Sequence, residues 1–410
     1  MRTPLSRRRF LASNLRAALA ASAFPLVVSP AVLGRGAGPG PNGRVNIGCI
    51  GMGPQGRGVM SGFLGLKGVR VVAVCDVSAR HREEGRRQVE GKYGGGGAGG
   101  GGGCGVYEDY RELLGRADVD GVLIATPDHW HVPMAVAAAR AGKDIYLEKP
   151  MGLAVAEDQA LREAVVSAGR IFQFGTQQRS SGEFRRAVEW VRSGRIGKLR
   201  RIHVWSPASR PGGSMRRVAV PEGWDFERWL GPAPAVSCTE GLLADDEATG
   251  AWKTWWYRSV HALGFIAGWG VHPLDIALWG YPGMMGGPMT VEGRGLFPES
   301  GACDTAIAWD VEFGLVGGVT MRFKGTPNDW DGANELNDLR DWRERYGGIE
   351  GHGTAFEGED GWICVHRGAV RTSPAGLAEE RNGREVPGVV RSEHHAGDLV
   401  AAMRSRGPTV

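Results

Sequence analysis

The sequence predicts an α/β chain whose first half is a doubly wound sheet, and three observations carry that reading. Short apolar runs recur at 44–50, 69–75, 120–126, 145–147 and 171–174, each strand-sized and rich in Val and Ile. Longer helical patterns separate them, notably at 131–141 and 155–168. The turn after the first run is Gly51-Met-Gly53-Pro-Gln-Gly56, a G-x-G-x-x-G between strand and helix. Together they make residues 44–175 a Rossmann dinucleotide-binding domain.

Each element has its own justification. Arg44 to Ile50 is an apolar strand. Gly51 permits the tight turn, Gly53 lets the backbone approach a pyrophosphate, and Gly56 lets the helix pack closely on the strand. That helix offers free amide hydrogens and a partial positive charge to phosphate. The second strand, Val69 to Cys75, runs into Asp76, about 20 residues beyond the fingerprint. A carboxylate there accepts hydrogen bonds from ribose hydroxyls and repels a 2′-phosphate, favouring NAD; nearby Arg80 and His81 keep NADP open. A further strand, Asp120 to Thr126, is broken by Pro127, and the strand at 145–147 ends in Glu148-Lys149-Pro150. The ligand crevice of such a sheet follows the strand C-termini. The cofactor-binding set is therefore Gly51, Met52, Gly53, Gln55, Gly56, Asp76, Thr126, Pro127, His131, Glu148 and Lys149.

Charge locates a different segment. The chain has 410 residues with 49 basic and 45 acidic side chains. Arg2, Arg7, Arg8, Arg9 and Arg16 all precede residue 32, with no acid among them. The basic excess thus belongs to the N-terminus, which argues against a nucleic-acid partner. Ser6-Arg7-Arg8-Arg9-Phe10-Leu11 resembles a twin-arginine signal, and the apolar stretch behind it, broken by Pro25, is too short to span a membrane. Residues 1–31 are read as an export signal ending at Ser29-Pro30-Ala31, with 32–43 as a Gly/Pro-rich linker. The expected location is periplasmic or exported, with no stable membrane span beyond the signal. The glycine-rich run 94–105 reads as a loop. None of the six cysteines has metal-ligand spacing, so no metal site and no disulfide framework are expected, and Cys49 and Cys75 read as small core residues.

Several motifs together resemble the glucose–fructose oxidoreductase / inositol dehydrogenase / MocA family. They are the glycine fingerprint, Ala125-Thr-Pro-Asp-His-Trp-His131, Ala141-Gly-Lys-Asp-Ile-Tyr-Leu-Glu-Lys-Pro150, Gly175-Thr-Gln-Gln-Arg179 and Gly268-Trp-Gly-Val-His272-Pro-Leu-Asp275. The resemblance spans about 44 to 400. It implies that residues 176–410 form an α/β domain on a large, mainly antiparallel sheet, which covers the nicotinamide and joins copies into a homo-oligomer. The sequence agrees, with a strand at 199–205, two apolar runs within 305–323 and a hairpin at 356–366. The resemblance also implies a further helical segment at the end, so the chain is read as shortened at Val410.

The resemblance assigns chemistry to three residues. Lys149 would lie beside the nicotinamide and the reacting carbinol, where an ammonium can polarise the oxygen or relay its proton. His272 would be the acid/base, and Asp275, one helical turn on, would orient it or bind substrate. One departure stands out: the acid the family carries four residues before this histidine is Gly268 here. Eight of the 14 tryptophans fall between 205 and 279 (Trp205, Trp224, Trp229, Trp252, Trp255, Trp256, Trp269 and Trp279), and as a group they suit a carbohydrate pocket. Lys253, Tyr257, Arg258 and His261 are the polar groups expected to bind hydroxyls there. His129 and His131 are too close in sequence to share a helical ligand face, and His394-His395 reads as solvent-facing or interfacial. Arg185-Arg186 and Arg200-Arg201 read as solvated faces.

The leading expectation is an exported NAD(P)-dependent oxidoreductase acting on a sugar, polyol or sugar derivative. An alternative is an NAD-dependent glycoside hydrolase working by transient oxidation and elimination. A third is a non-catalytic sugar-binding or scaffold protein.

Overall fold

Helices on both faces of a parallel sheet explain why its strands are continuous apolar runs rather than alternating ones. The structure is a computed structural model that describes residues 43–94, 103–244, 254–327, 334–349, 351–379 and 386–410. Residues 1–31, read above as an export signal, residues 32–42 of the expected linker, most of the glycine run, Trp252 and Lys253 lie outside the described residues. The parallel layer contains β1 (Val45–Ile50), α1 (Pro54–Leu64), β2 (Val69–Cys75), α2 (Ala79–Tyr93), β3 (Gly105–Tyr107) and α3 (Tyr110–Leu114). It continues with β4 (Gly121–Ile124), α4 (Asp128–Arg140), β5 (Asp144–Leu147), α5 (Val155–Ser167) and β6 (Phe172–Phe174). The strand order is β3-β2-β1-β4-β5-β6. Its direction reverses between β1 and β4, which opens the crevice at their C-terminal ends. The helix expected at 131–141 begins earlier, at Asp128, with Pro127 as its cap residue. Asp128 thereby moves from a loop to the first helical turn.

The second layer follows with α6 (Gly182–Arg192), β7 (Leu199–Pro207), α7 (Phe226–Leu230), α8 (Gly264–Gly268), α9 (Val271–Gly280) and β8 (Thr290–Leu296). Next come β9 (Ala308–Gly314), β10 (Thr320–Thr326), α10 (Arg340–Arg345), β11 (Gly353–Gly358), β12 (Trp362–His366), β13 (Ala369–Ser373) and α11 (His395–Ser405). The seven strands run β13-β12-β11-β7-β10-β9-β8. Only β7 and β10 pair in parallel. The large, mainly antiparallel sheet is therefore present, and the hairpin at 356–366 is β11 and β12. Packing of α6 and α9 on one face buries Phe184, Trp190, Ile276 and Phe356 in a shared core.

The last helix, α11, returns to the first layer. Val45–Val410 form one compact unit. Leu399, Val400 and Met403 of α11 are buried with Val45, Phe63 and Tyr146 of the first layer. Burial of such side chains stabilises by roughly 1.5–3 kcal/mol each, so α11 is part of the first core. His395 anchors it and is not solvent-facing: Nε2 donates to Phe174 O at 2.9 Å, and Nδ1 accepts from Ser180 Oγ at 2.9 Å. Its neighbour His394 caps the helix, accepting from Gly397 N. All six cysteines are free, and Cys49 and Cys75 pack inside the first core. Arg185 pairs with Glu189 near the surface, and Arg201 reaches in to the buried Glu357. Among the described residues no helix is long and apolar enough to cross a membrane.

A candidate dinucleotide and substrate site

The glycine turn shows three distinct steric situations. Gly51 has φ 85°, and a Cβ there would lie 2.4 Å from Ala125 O. A Cβ at Gly56 would lie 1.8 Å from Gly51 O, so the start of α1 packs directly on the turn. At Gly53 a Cβ would meet nothing within 4 Å, which leaves that backbone open for a ligand. No side chain caps α1 and its first turn holds no acid, so its amide hydrogens remain available to phosphate. Asp76 closes the other side: Oδ2 accepts from Met52 N at 2.6 Å and Oδ1 from Ser78 N at 2.8 Å. Met52 takes part through its backbone only, because its side chain is buried in the core beneath Gly85.

A cleft of about 570 Å³ opens from this turn, lined by Gly53, Gln55, Asp76, Thr126, Pro127, His131, Glu148 and Lys149. The buried Thr126 Oγ1 has no partner within the protein, which leaves a hydroxyl for a ligand. These features fit a dinucleotide. His131 serves a second purpose. Its ring nitrogens lie 2.9 Å from Thr126 O and 2.5 Å from Pro150 O, so its single N–H ties the ring to one of the two strand-end loops while the ring packs against the other. Burial lowers its pKa to about 4 and keeps the ring neutral. His129 is tied as well: its Nε2 lies 3.0 Å from Trp229 O.

Charge concentrates at the inner end of the cleft. Glu148 is buried, its Oε1 accepting from Gln177 Nε2 at 2.5 Å, and burial raises its pKa. Lys149 is half-buried, and its Nζ donates to Gly268 O at 3.0 Å. At Gly268, where the resembling family carries an acid, this chain offers Lys149 a backbone carbonyl. Asp128, absent from the sequence-derived set, also lines the cleft and is 4% exposed. Burial lifts its pKa to about 7 against the opposing pull of Lys149. Its place after Thr126-Pro127 was the available signal, but its desolvation depends on the folded surroundings.

The second layer brings His272 close but not into the lining. Trp269 neighbours both: its ring centroid is 5.9 Å from Lys149 Nζ and 5.9 Å from the His272 ring. His272 is buried, its Nδ1 has no partner, and burial followed by Lys149 pushes its pKa down. Asp275 does not orient it. Both Asp275 oxygens accept from Arg179, at 2.8 and 2.7 Å. The segment Gln177–Ser180 acts as a hub. Gln177 reaches Glu148 and Tyr146, Gln178 donates to His352, Arg179 holds Asp275 and Ser180 meets His395.

The tryptophans divide. Trp224, Trp229, Trp255 and Trp256 line the cleft with Trp130. Trp205 and Trp279 are core residues. Tyr257 and His261 are buried outside the lining and do not present polar groups to it, His261 packing on His129 and Trp229. Among the described residues no group of three or more His, Cys, Asp or Glu side chains could hold a metal.

Comparison with known proteins agrees with this geometry. Residues 45–176 match the family model for the GFO_IDH_MocA oxidoreductase family, NAD-binding Rossmann fold. A glycosyl hydrolase family 109 protein of Saccharopolyspora erythraea is 40% identical over 113 residues, 28% of this chain and 24% of the relative. An alpha-N-acetylgalactosaminidase of Shewanella oneidensis is 37% identical over 113 residues, with the same coverages of 28% and 24%. These matches span about a quarter of the curated relatives' length. Among solved structures, an aldose-aldose oxidoreductase from Caulobacter crescentus aligns over 90% of this chain and 91% of its own, at 18% identity and TM-score 0.59. The WlbA dehydrogenase of Bordetella pertussis, in complex with NADH and UDP-GlcNAcA, aligns over 78% and 73%, at 14% identity and TM-score 0.54. Both show the same fold. Turn, strand order and family match converge on one stretch of chain: residues 45–176 form an NAD-binding Rossmann domain, similar to that of the GFO_IDH_MocA oxidoreductase family.

Proposed function

We propose that this protein is an exported oxidoreductase that transfers a hydride between NAD and a hydroxyl-bearing carbon of a sugar or sugar derivative. The observation that carries it is Lys149, a half-buried ammonium in the NAD cleft, held by one carbonyl and next to two buried carboxyl groups. A nicotinamide held in this cleft would supply the hydride acceptor for the carbinol carbon. The Lys149 ammonium polarises the hydroxyl oxygen and relays its proton as the carbonyl forms, giving one of its own protons to ionised Asp128 as it takes the hydroxyl's. Asp128, with its raised pKa, receives that proton onward, while Glu148, bonded to Gln177, holds its place beneath Lys149. The cleft tryptophans present indole faces to the C–H faces of a sugar ring. Purified protein should bind NADH and, given a panel of sugars and glycosides, change absorption at the reduced-nicotinamide band. Lys149→Ala should lower turnover by about 10²–10³-fold with NADH affinity within a few-fold of wild type. A protein that binds no nicotinamide nucleotide would sink the proposal.

A second reading is supported by the names of the relatives and by the acid/base pair of Asp128 and Lys149. In it a glycoside ring hydroxyl is oxidised, a neighbouring C–H proton is removed and the aglycone leaves. Water then adds and the hydride returns, so NAD is unchanged overall. Release of a chromogenic aglycone without accumulation of NADH distinguishes it.

The same proposal includes export through Arg7 and Arg8. Conversion of both to Lys should leave the protein inside the cell. It also includes self-association through the outer strand β8, where Val291 and Leu296 are exposed and continue into Phe297.

A further inference from the structure

Between β7 and α8 the chain crosses back to the first layer. Ala79 N donates to Gly223 O at 2.8 Å, and Asp225 N donates to Val77 O at 3.1 Å. Ser78 and Trp224 form an antiparallel bridge between those two bonds. Residues 223–225 are therefore zipped onto the loop that follows Asp76. Trp224 meets the His81 ring edge-on at 5.4 Å. Farther along, Arg228 pairs with Glu108 at 3.0 Å, and Arg82 holds the same Glu108 at 3.0 Å. The far end is tied to α4: Trp130 Nε1 donates to Trp229 O at 2.9 Å, and Gly231 sits directly against the Trp130 ring. Segment 221–231 thus spans the mouth of the crevice from the end of β2 to the start of α4. Trp224, Asp225, Arg228 and Trp229 line the same cleft as Gly53 and Asp76.

The position of this strap has a chemical meaning. A carboxylate at the end of β2 marks the ribose of the adenosine half of a dinucleotide. The strap's backbone bonds begin at the next three residues, 77–79. We propose that residues 221–231 form the outer wall of the adenosine subsite, so that NAD is a resident group exchanged only when the strap detaches. This rests on the cleft being an NAD site. It assigns nucleotide retention to a segment of the second layer that no glycine fingerprint reveals.

Two measurements test it. Protein loaded with NADH is chased with excess NAD, and release is followed by reduced-nicotinamide fluorescence. Trp224→Ala combined with Arg228→Ala should speed release about tenfold or more, and speed association as well, since entry passes through the same open state. Gly223→Ala should do the same while removing no side chain, because Gly223 has φ 80° and an added Cβ would press on Ala79 Cβ at 3.2 Å. In unmodified protein, saturating NADH should slow tryptic cleavage at Arg228 by about fivefold or more, since a bound ligand disfavours local opening. Release rates within twofold of wild type in both folded variants overturn the strap, as does cleavage at Arg228 unaffected by NADH. A wild-type protein that binds no NADH overturns strap and NAD reading together.

Discussion

Asp128 shows how one residue acquires its chemistry from burial. Its carboxyl is 4% exposed and its pKa rises to about 7, with desolvation the leading cause. Alcohol oxidation releases a proton, so the rate in that direction should rise through pH 7 as Asp128 ionises. Asp128→Asn should flatten that limb and lower turnover at pH 8 by about tenfold or more. The sign for stability is opposite. The folded pKa lies above the unfolded one, so stability falls as pH rises from about 4 to about 7 and changes little above that. Asp128→Asn should therefore stabilise the fold at pH 8 by about 4 kcal/mol at most, read as a higher Tm, and change it little at pH 4. A loss of stability at both pH values would place Asp128 in a structural role.

At the scale of elements, the hub segment decides whether α9 stays in place. Arg179 grips Asp275 through two bonds and its guanidinium lies over Trp279, 5.4 Å from the ring. Both charged side chains are largely buried, at 21% and 13% exposed. Arg179→Ala leaves Asp275 in low dielectric without its cation, which costs about 3 kcal/mol or somewhat more. Tm should fall accordingly, and turnover should fall with it because α9 carries His272. Arg179→Lys should recover only part of either, since an ammonium cannot make the paired fork contact. Full recovery by Lys would show that charge alone matters there.

The whole molecule should be sensitive to acid. Burial depresses His131, His203 and His352 to about 4 and His261 to about 3. Below pH 6.5 the unfolded chain binds protons at these sites and the folded chain does not, so stability falls from about pH 6.5 towards pH 4. The combined loss should reach a few kcal/mol, measurable as a Tm lower at pH 5 than at pH 7.5. A flat profile across that range would mean these rings are solvated. Self-association through β8 makes a second whole-molecule prediction. Its seven residues are all exposed, and Val291→Glu with Phe297→Glu should shift the protein to a smaller species in sedimentation while leaving the Tm of the monomer nearly unchanged.

Local chain stereochemistry made much of the first layer readable from sequence. A turn that admits no Cβ at residue 51, an apolar strand on each side and an acid after β2 are requirements of neighbouring backbone, and they specify a dinucleotide crevice wherever they occur together. Lys149 and Glu148 were legible for the same reason, since a strand end in such a sheet can only face the crevice. Contacts between residues far apart in sequence were decided by tertiary structure. Asp275 turned to Arg179 and not to His272, Gly268 offered Lys149 a carbonyl, α11 joined the first core, and Trp224 came back to residues 77–79. None of these has a period or a spacing, because each depends on which surfaces meet after the sheets have packed. Asp128 belongs to this second group as well: its sequence position names a carboxylic acid, and only the exclusion of water around it brings that acid to half-ionisation near neutral pH.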